Sequence, residues 1–263
     1  HNSYQIVLLS YRRDGESSAI DLRGTVRSLV EFQQAIAAAP WRVTHAQVRR
    51  ASTSHALPAL PAPGTESIVE AFWALPTVHE LDGVLSLRAA QDGTAGFVRD
   101  CPPGTASDPE ATQVIQGRHI RHWDQCSGEE WIVTDRDLPL RSLPGLTFRQ
   151  IARSDDTRTF IVAAAPARTF VKETGYWIVP SERDHDYEMF LLGYLGSRVF
   201  DWYVRTYVDR RILPSLFSSL PVPEFDAGNT DHQALASFAR QAMPDDPGLD
   251  WYEPLAGSEE QTT

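Results

Sequence analysis

A chain of 263 residues with 42% hydrophobic content is long enough to close a core, as one large domain or two small ones. No run approaches the roughly 20 apolar residues that span a bilayer, and the first residues carry no charged-then-apolar leader, so a cytoplasmic protein is expected. The net charge of −11 argues at face value against nucleic acid, and two cysteines, Cys101 and Cys126, supply neither a disulfide framework nor a zinc site.

Residues 4–11 (YQIVLLSY) form a nearly continuous apolar run. Asp14-Gly15 is a turn signal, and residues 19–22 can pair back as a second strand. The chain begins at His1 and enters that run almost at once, which suggests a piece of a longer polypeptide. Ser28 precedes Leu29, Phe32, Ala35 and Ile36, the pattern of a short capped helix closed by Pro40, and Thr44 can cap another turn containing Val48. Residues 51–64 are rich in Ser, Ala and Pro and read as irregular. Residues 66–75 (ESIVEAFWAL) read as a helix that turns Ile68, Val69, Phe72 and Trp73 inward and ends at Pro76. A loop follows at 91–96, and residues 100–113, with three prolines, read as a surface loop.

Near residue 113 the composition changes to strand-like runs and clustered arginines, and a boundary is placed there. Residues 114–123, 131–133, 148–153, 160–165 and 176–179 are β-branched and aromatic runs bounded by turn residues, which predicts a sheet. A long helix is predicted over 188–207, with Leu192, Leu195, Val199, Trp202 and Thr206 on one face, widened by Phe190, Phe200 and Tyr203. A short apolar segment, 212–220, stops at Pro221-Val222-Pro223. The tail holds one more helix, 232–242, and is expected to fray after Trp251. The expected fold class is α+β: an N-terminal hairpin-and-helix connector, then a mixed sheet-and-helix domain.

The acidity is unevenly spread. Residues 1–117 carry 9 basic and 12 acidic side chains, 118–223 carry 14 and 14, and 224–263 carry 1 and 9. The tail therefore accounts for most of the excess, and the middle region is balanced. Of the 24 basic residues only Lys172 is a lysine, so nearly every cation is a planar guanidinium able to pair with phosphate or guanine. A GC-rich coding sequence is the plainer cause of that ratio.

Phosphate-binding glycine loops and the Gly-x-Ser-x-Gly elbow are absent from the sequence. His119, His122 and Asp124 stand close enough for a metal site if they share a helical face, whereas a strand would send the two histidines to opposite sides. Cys126 with His119 or His122 would make a thiol and base, without an oxyanion-hole motif to support them.

Three segments, in order, resemble the C-terminal target-recognition region of adenine-N6 DNA methyltransferases, the long restriction-modification and phage-defence enzymes with a TaqI-like specificity domain. Residues 115–124 (IQGRHIRHWD) are similar to that family's Gly-Lys-x-Ile-His-x-Phe-Asp strand. Residues 148–166 (FRQIARSDDTRTFIVAAAP) are similar to its Phe-Arg-x-Ile core, which runs through an Arg-Thr pair to a proline. Residues 191–223 resemble its Leu-Leu-x-x-Leu-Asn-Ser-x-x-Phe-Asp-Tyr helix followed by Leu-Pro-Val-Pro. The likeness covers about 114–225. A weaker one extends through 41–76 and back to a hairpin at 4–22.

The resemblance implies three parts: 1–113, the end of a methyltransferase sheet and a connector; 114–225, a target-recognition domain; and 226–263, a C-terminal helix and acidic tail. It implies double-stranded DNA as partner, contacted by Arg118, His119, Arg121, His122, Arg149, Arg153, Arg158, Arg205, Arg210 and Arg211. Such a domain follows phosphates with cations and reads base edges with a few polar groups, so that an adenine can be flipped into a pocket elsewhere. The family's Asn-Pro-Pro-Tyr motif and S-adenosylmethionine loop are absent, so no catalytic residue is assigned. The cofactor belongs to a methyltransferase domain in cis or in another subunit, and the isolated chain is not expected to methylate DNA. Val208-Asp209-Arg210-Arg211 replaces the glycine-rich turn that often follows the family's long helix, and Arg118 replaces its lysine, so base preference does not transfer. Arg158 has a second expectation, pairing with Asp155 or Asp156 to staple the turn. Two other readings stay open: a non-catalytic interaction or regulatory domain derived from such a module, and a hydrolase using His119, His122 and Cys126.

Overall fold

The computed structural model describes residues 17–24, 26, 28–52, 56–59, 64–81, 87–134, 144–181, 184–208 and 210–243. The run at 4–11 and the end of the tail lie outside these. The fold is α+β, as expected, and none of its described helices is long and apolar enough to cross a membrane.

Strand β1 (Ala19–Leu22) pairs antiparallel with β2 (Trp41–Thr44), and α1 (Leu29–Ala37) connects them. The capping signals hold: the Ser28 hydroxyl accepts the Glu31 amide, and Thr44 and Gln47 form a reciprocal capping box opening α2 (His45–Ala51). Helix α3 (Glu66–Trp73) buries Val69, Phe72 and Trp73. Ile68, expected inward, is exposed, because it lies a helical step off the stripe that the other three share.

The centre of the molecule is an antiparallel sheet of four strands in the order β3 (Leu87–Ala90), β9 (Gly175–Pro180), β6 (Gly145–Arg149), β7 (Val162–Ala165). Both faces are covered over β6, β7 and β9, which is why β7 and β9 read as unbroken apolar runs rather than alternating ones. Val162, Ala164, Phe148, Tyr176 and Ile178 face a large core with the helices, while Ala163, Ala165 and Trp177 face a smaller one with Ile115, Ile120, Cys126 and Val171. Beyond the smaller core lies a three-stranded sheet: β4 (Ala111–Ile115) pairs antiparallel with β5 (Trp131–Val133) and parallel with β8 (Thr169–Val171). Short helix α4 (Ala95–Asp100) sits near it, with Phe97 stacked on Phe170. The boundary placed near residue 113 falls inside β4, and β3, from the part before it, is an edge strand of the central sheet.

The long helix predicted over 188–207 is two helices, α5 (His185–Leu195) and α6 (Arg198–Arg205). Gly196 closes the first, and the Ser197 hydroxyl accepts the Phe200 amide to open the second. A Gly-Ser pair is a common place for a helix to break. The break turns α6, so Leu192 and Leu195 are fully buried but Val199, expected on the same face, is 58% exposed and Trp202 is half-buried. Leu195→Ala is expected to cost about 2–5 kcal/mol in urea unfolding, whereas Val199→Ala should stay within about 0.5 kcal/mol. Helices α7 (Pro214–Ser218) and α8 (Thr230–Ala242) complete the layer. Gly193 of α5 lies so near α8 that a Cβ there would stand 2.8 Å from the Leu235 carbonyl oxygen.

Candidate nucleic-acid interface

Strand register and the hydrogen bonds of the adjoining loops bring the segments that carry the ten residues singled out in the sequence to one end of the central sheet. Arg149 ends β6 opposite Gly175, the first residue of β9, and Phe148 stands opposite Val162, the first of β7. The loop 150–161 closes β6 onto β7 at that end. A 3₁₀ turn, Gly117–His119, docks there too: the Gly117 amide donates to Thr174 Oγ1 (2.8 Å), and a Cβ on Gly117 would stand 2.6 Å from the Thr174 carbonyl oxygen. From this turn, residues 123–126 run along the other edge of β7, with Trp123 N and Cys126 N donating to the carbonyls of Val162 and Ala164. Arg210 and Arg211 arrive from the far side of α6: the Ala152 amide donates to the Arg210 carbonyl, and Ile151 bridges to Arg211.

The loop 153–160 is held tightly. Asp201 of α6 is a buried carboxylate whose Oδ1 accepts the amides of both Thr159 and Phe160 at 2.7 Å, while its Oδ2 pairs with Arg205 at 2.9 Å. The remaining reach of Arg205 goes to the carbonyls of Ser154 (3.0 Å) and Thr157 (3.2 Å). Asp156 Oδ2 accepts the Arg153 amide, and Thr159 Oγ1 donates to the Arg153 carbonyl. Arg158 donates to the Gly196 carbonyl at 3.2 Å, so the turn is stapled to the end of α5 rather than through Asp155 or Asp156. Cations are favoured at a helix C-terminus. The same carbonyl accepts Trp123 Nε1, and Trp123 itself has a φ of 61°, uncommon for so large a residue. Gly196 thus ties the 117–124 and 153–160 segments together.

The ten residues divide by exposure. Arg118, Arg121, Arg153, Arg210 and Arg211 are exposed, and Arg149, Arg158, Arg205, His119 and His122 are half-buried. His119 Nδ1 accepts the Gln116 amide. A neutral imidazole has one acceptor nitrogen, so the Arg118 guanidinium, 3.0 Å from His119 Nε2, is not held by it. Burial, then Arg118, lowers the His119 titration.

His122 is enclosed more fully, and neither ring nitrogen has a hydrogen-bond partner. Burial, then the neighbouring Arg158, pushes its titration from 6.5 to about 4. The unfolded chain therefore binds the proton at a pH where the folded one does not, so this group's contribution to stability is full above about pH 6.5 and declines as the pH falls towards 4. Thermal unfolding across that window is expected to show a smaller loss in His122→Gln than in the parent chain.

The two chemical alternatives find no support in this geometry. His119 and His122 lie on separate turns, not one helical face, and among the described residues no three His, Cys, Asp or Glu side chains gather as metal ligands. Cys126 is buried, and burial pushes its thiol far above the ordinary range, which leaves it a poor nucleophile. Asp201 was not singled out by its sequence context. Its local signals are its spacing of four from Arg205 and its place in the Phe200-Asp201 pair of the helix resemblance. The sequence matches no protein-family model and no curated protein.

Proposed function

We propose that this chain is a DNA target-recognition module that positions duplex DNA for an adenine-N6 methyltransferase domain, in the same polypeptide or a separate subunit, within a cytoplasmic restriction-modification or phage-defence system. The catalytic domain would supply S-adenosylmethionine binding and chemistry. One observation carries the reading: three segments distant in sequence bring five exposed arginines, Arg118, Arg121, Arg153, Arg210 and Arg211, to a single end of a buried sheet. Loops on a rigid scaffold are where recognition residues concentrate, and exposed guanidinium groups there suit phosphate oxygens or guanine edges. On the same end Asp201 is buried, and Asp156 and Asp124 each accept a backbone amide.

The test is affinity for duplex DNA as a function of salt. Arg153→Ala should weaken binding to every sequence and flatten the slope of log affinity against log salt by about one unit. A base-reading role would instead relax preference at one position, with a loss of about 1–3 kcal/mol at the preferred site. Unchanged affinity, slope and preference, with lowered thermal stability, would make the loop purely structural.

A second reading, a non-catalytic interaction module, draws on a different surface. Leu29, Val30 and Ile36 of α1 are 72%, 61% and 54% exposed, and α1 buries no residue fully. Single exposed apolar residues are ordinary, but three on one short helix are the kind of patch that partners cover.

A further inference from the structure

We propose that Asp201 and Arg205 are positioning residues that hold the loop 153–160 in a preformed shape and present Arg153 to DNA, an inference that rests on the recognition reading above. Arg205 thereby leaves the set of contacting arginines. Its guanidinium spans the Asp201 carboxylate and two loop carbonyls, Ser154 and Thr157, from a side chain 30% exposed. Asp201, on the other side, takes the two amides that begin the return to β7. Between these anchors Arg153 has its amide fixed by Asp156 and its carbonyl by Thr159, and its side chain points away, exposed. A loop already ordered before binding loses less conformational entropy on association than one that must be ordered by the ligand.

The two roles that Asp201 could have on DNA affinity differ in sign. If its carboxylate acted only through charge, Asp201→Asn would remove a negative group near the arginines and strengthen binding to a polyanion. As a positioning residue, the same change must weaken it. An asparagine amide cannot accept from Arg205 as the carboxylate does, so the loop loses one of its two anchors.

The experiment measures binding of the full chain to a labelled random-sequence duplex over a range of salt, for the parent, Asp201→Asn, Arg205→Lys, Arg153→Ala and the combined Asp201→Asn with Arg153→Ala. Arg205→Lys keeps the charge and loses the planar fork, and it serves as the deciding variant where Asp201→Asn does not fold. Asp201→Asn and Arg205→Lys are each expected to weaken binding about tenfold, the equivalent of ordering about one further residue on association, with the salt slope unchanged. In the combined variant Arg153→Ala should add little, because a misplaced arginine has little left to lose. Asp201→Asn binding as tightly as the parent or more tightly, or Arg205→Lys binding like the parent, or full additivity with Arg153→Ala, overturns the positioning role while leaving DNA recognition intact. A parent chain with no salt-dependent affinity for the duplex overturns both.

Discussion

Phe148→Ala is expected to lower the stability of the chain by about 3–5 kcal/mol, the upper range for truncating a buried aromatic. Phe148 is fully buried, and its ring stacks against Phe160 at 5.3 Å, Tyr176 at 5.4 Å and Phe217 at 5.0 Å between centroids. Those partners come from the loop before β7, from β9 and from α7, so one side chain joins two strands' surroundings to the helical layer. The space left by truncation cannot close easily, because each neighbouring ring is fixed by its own backbone element. Denaturant unfolding should show the midpoint moving with little change in slope. A loss below about 1 kcal/mol would mean that the surrounding rings collapse into the space, and that the stack is less rigid than its geometry implies.

Gly128→Ala is expected to be nearly as damaging, for the opposite reason. A Cβ at this position would stand 2.1 Å from the carbonyl oxygen of Val114 and 3.1 Å from His119 Nδ1. The first of these is backbone in the middle of β4 and cannot swing aside, so strand and loop must separate. Such overpacking costs about 1–3 kcal/mol and sometimes more. The change should also loosen the 3₁₀ turn that carries Arg118 and His119, visible as faster amide exchange at Gln116, whose N–H is held by His119. Gly96 is the control. It sits in α4 with nothing nearer to its missing Cβ than Thr94 Oγ1 at 3.7 Å, and Gly96→Ala should be neutral or stabilise by up to about 1 kcal/mol.

What could be read from the residues was mostly local. Capping at Ser28 and Thr44 was legible because a cap hydroxyl and the amide it accepts lie three residues apart. Strands β7 and β9 were legible because burial on both faces leaves an uninterrupted apolar run, whereas the run read at 148–153 shares only Phe148 and Arg149 with β6 and otherwise lies in the loop that leads to β7. The helix break at Gly196-Ser197 was not read, since the apolar spacing runs through it and a glycine alone is tolerated inside a helix. Strand β1 was expected to pair with the run at 4–11. Among the described residues it pairs with β2, whose Trp41 and Val43 alternate with polar neighbours in a pattern too short to stand out. The candidate site was legible as a set of residue types and not as a place. Nothing local reports that Asp201 accepts amides some forty residues earlier in the chain, or that Gly196 collects Trp123 and Arg158 onto one carbonyl.

The pairing of β3 with β9 has a consequence for how the chain reaches this state. Leu87 meets Pro180 and Ala90 meets Trp177, so the edge of the central sheet is complete only after most of the polypeptide between them has been made. The parallel pairing of β4 with β8 adds a second closure over a long intervening loop. Contacts so distant along the chain repay their loop-closure entropy late, which slows folding relative to a helical protein of similar size. During synthesis β3 must wait unpaired, with Leu87 uncovered, while β6 and β7 can already zip as neighbours. A chain cut near residue 113 therefore parts β3 from β9, leaving two fragments that each present a bare strand edge to whatever else is in solution.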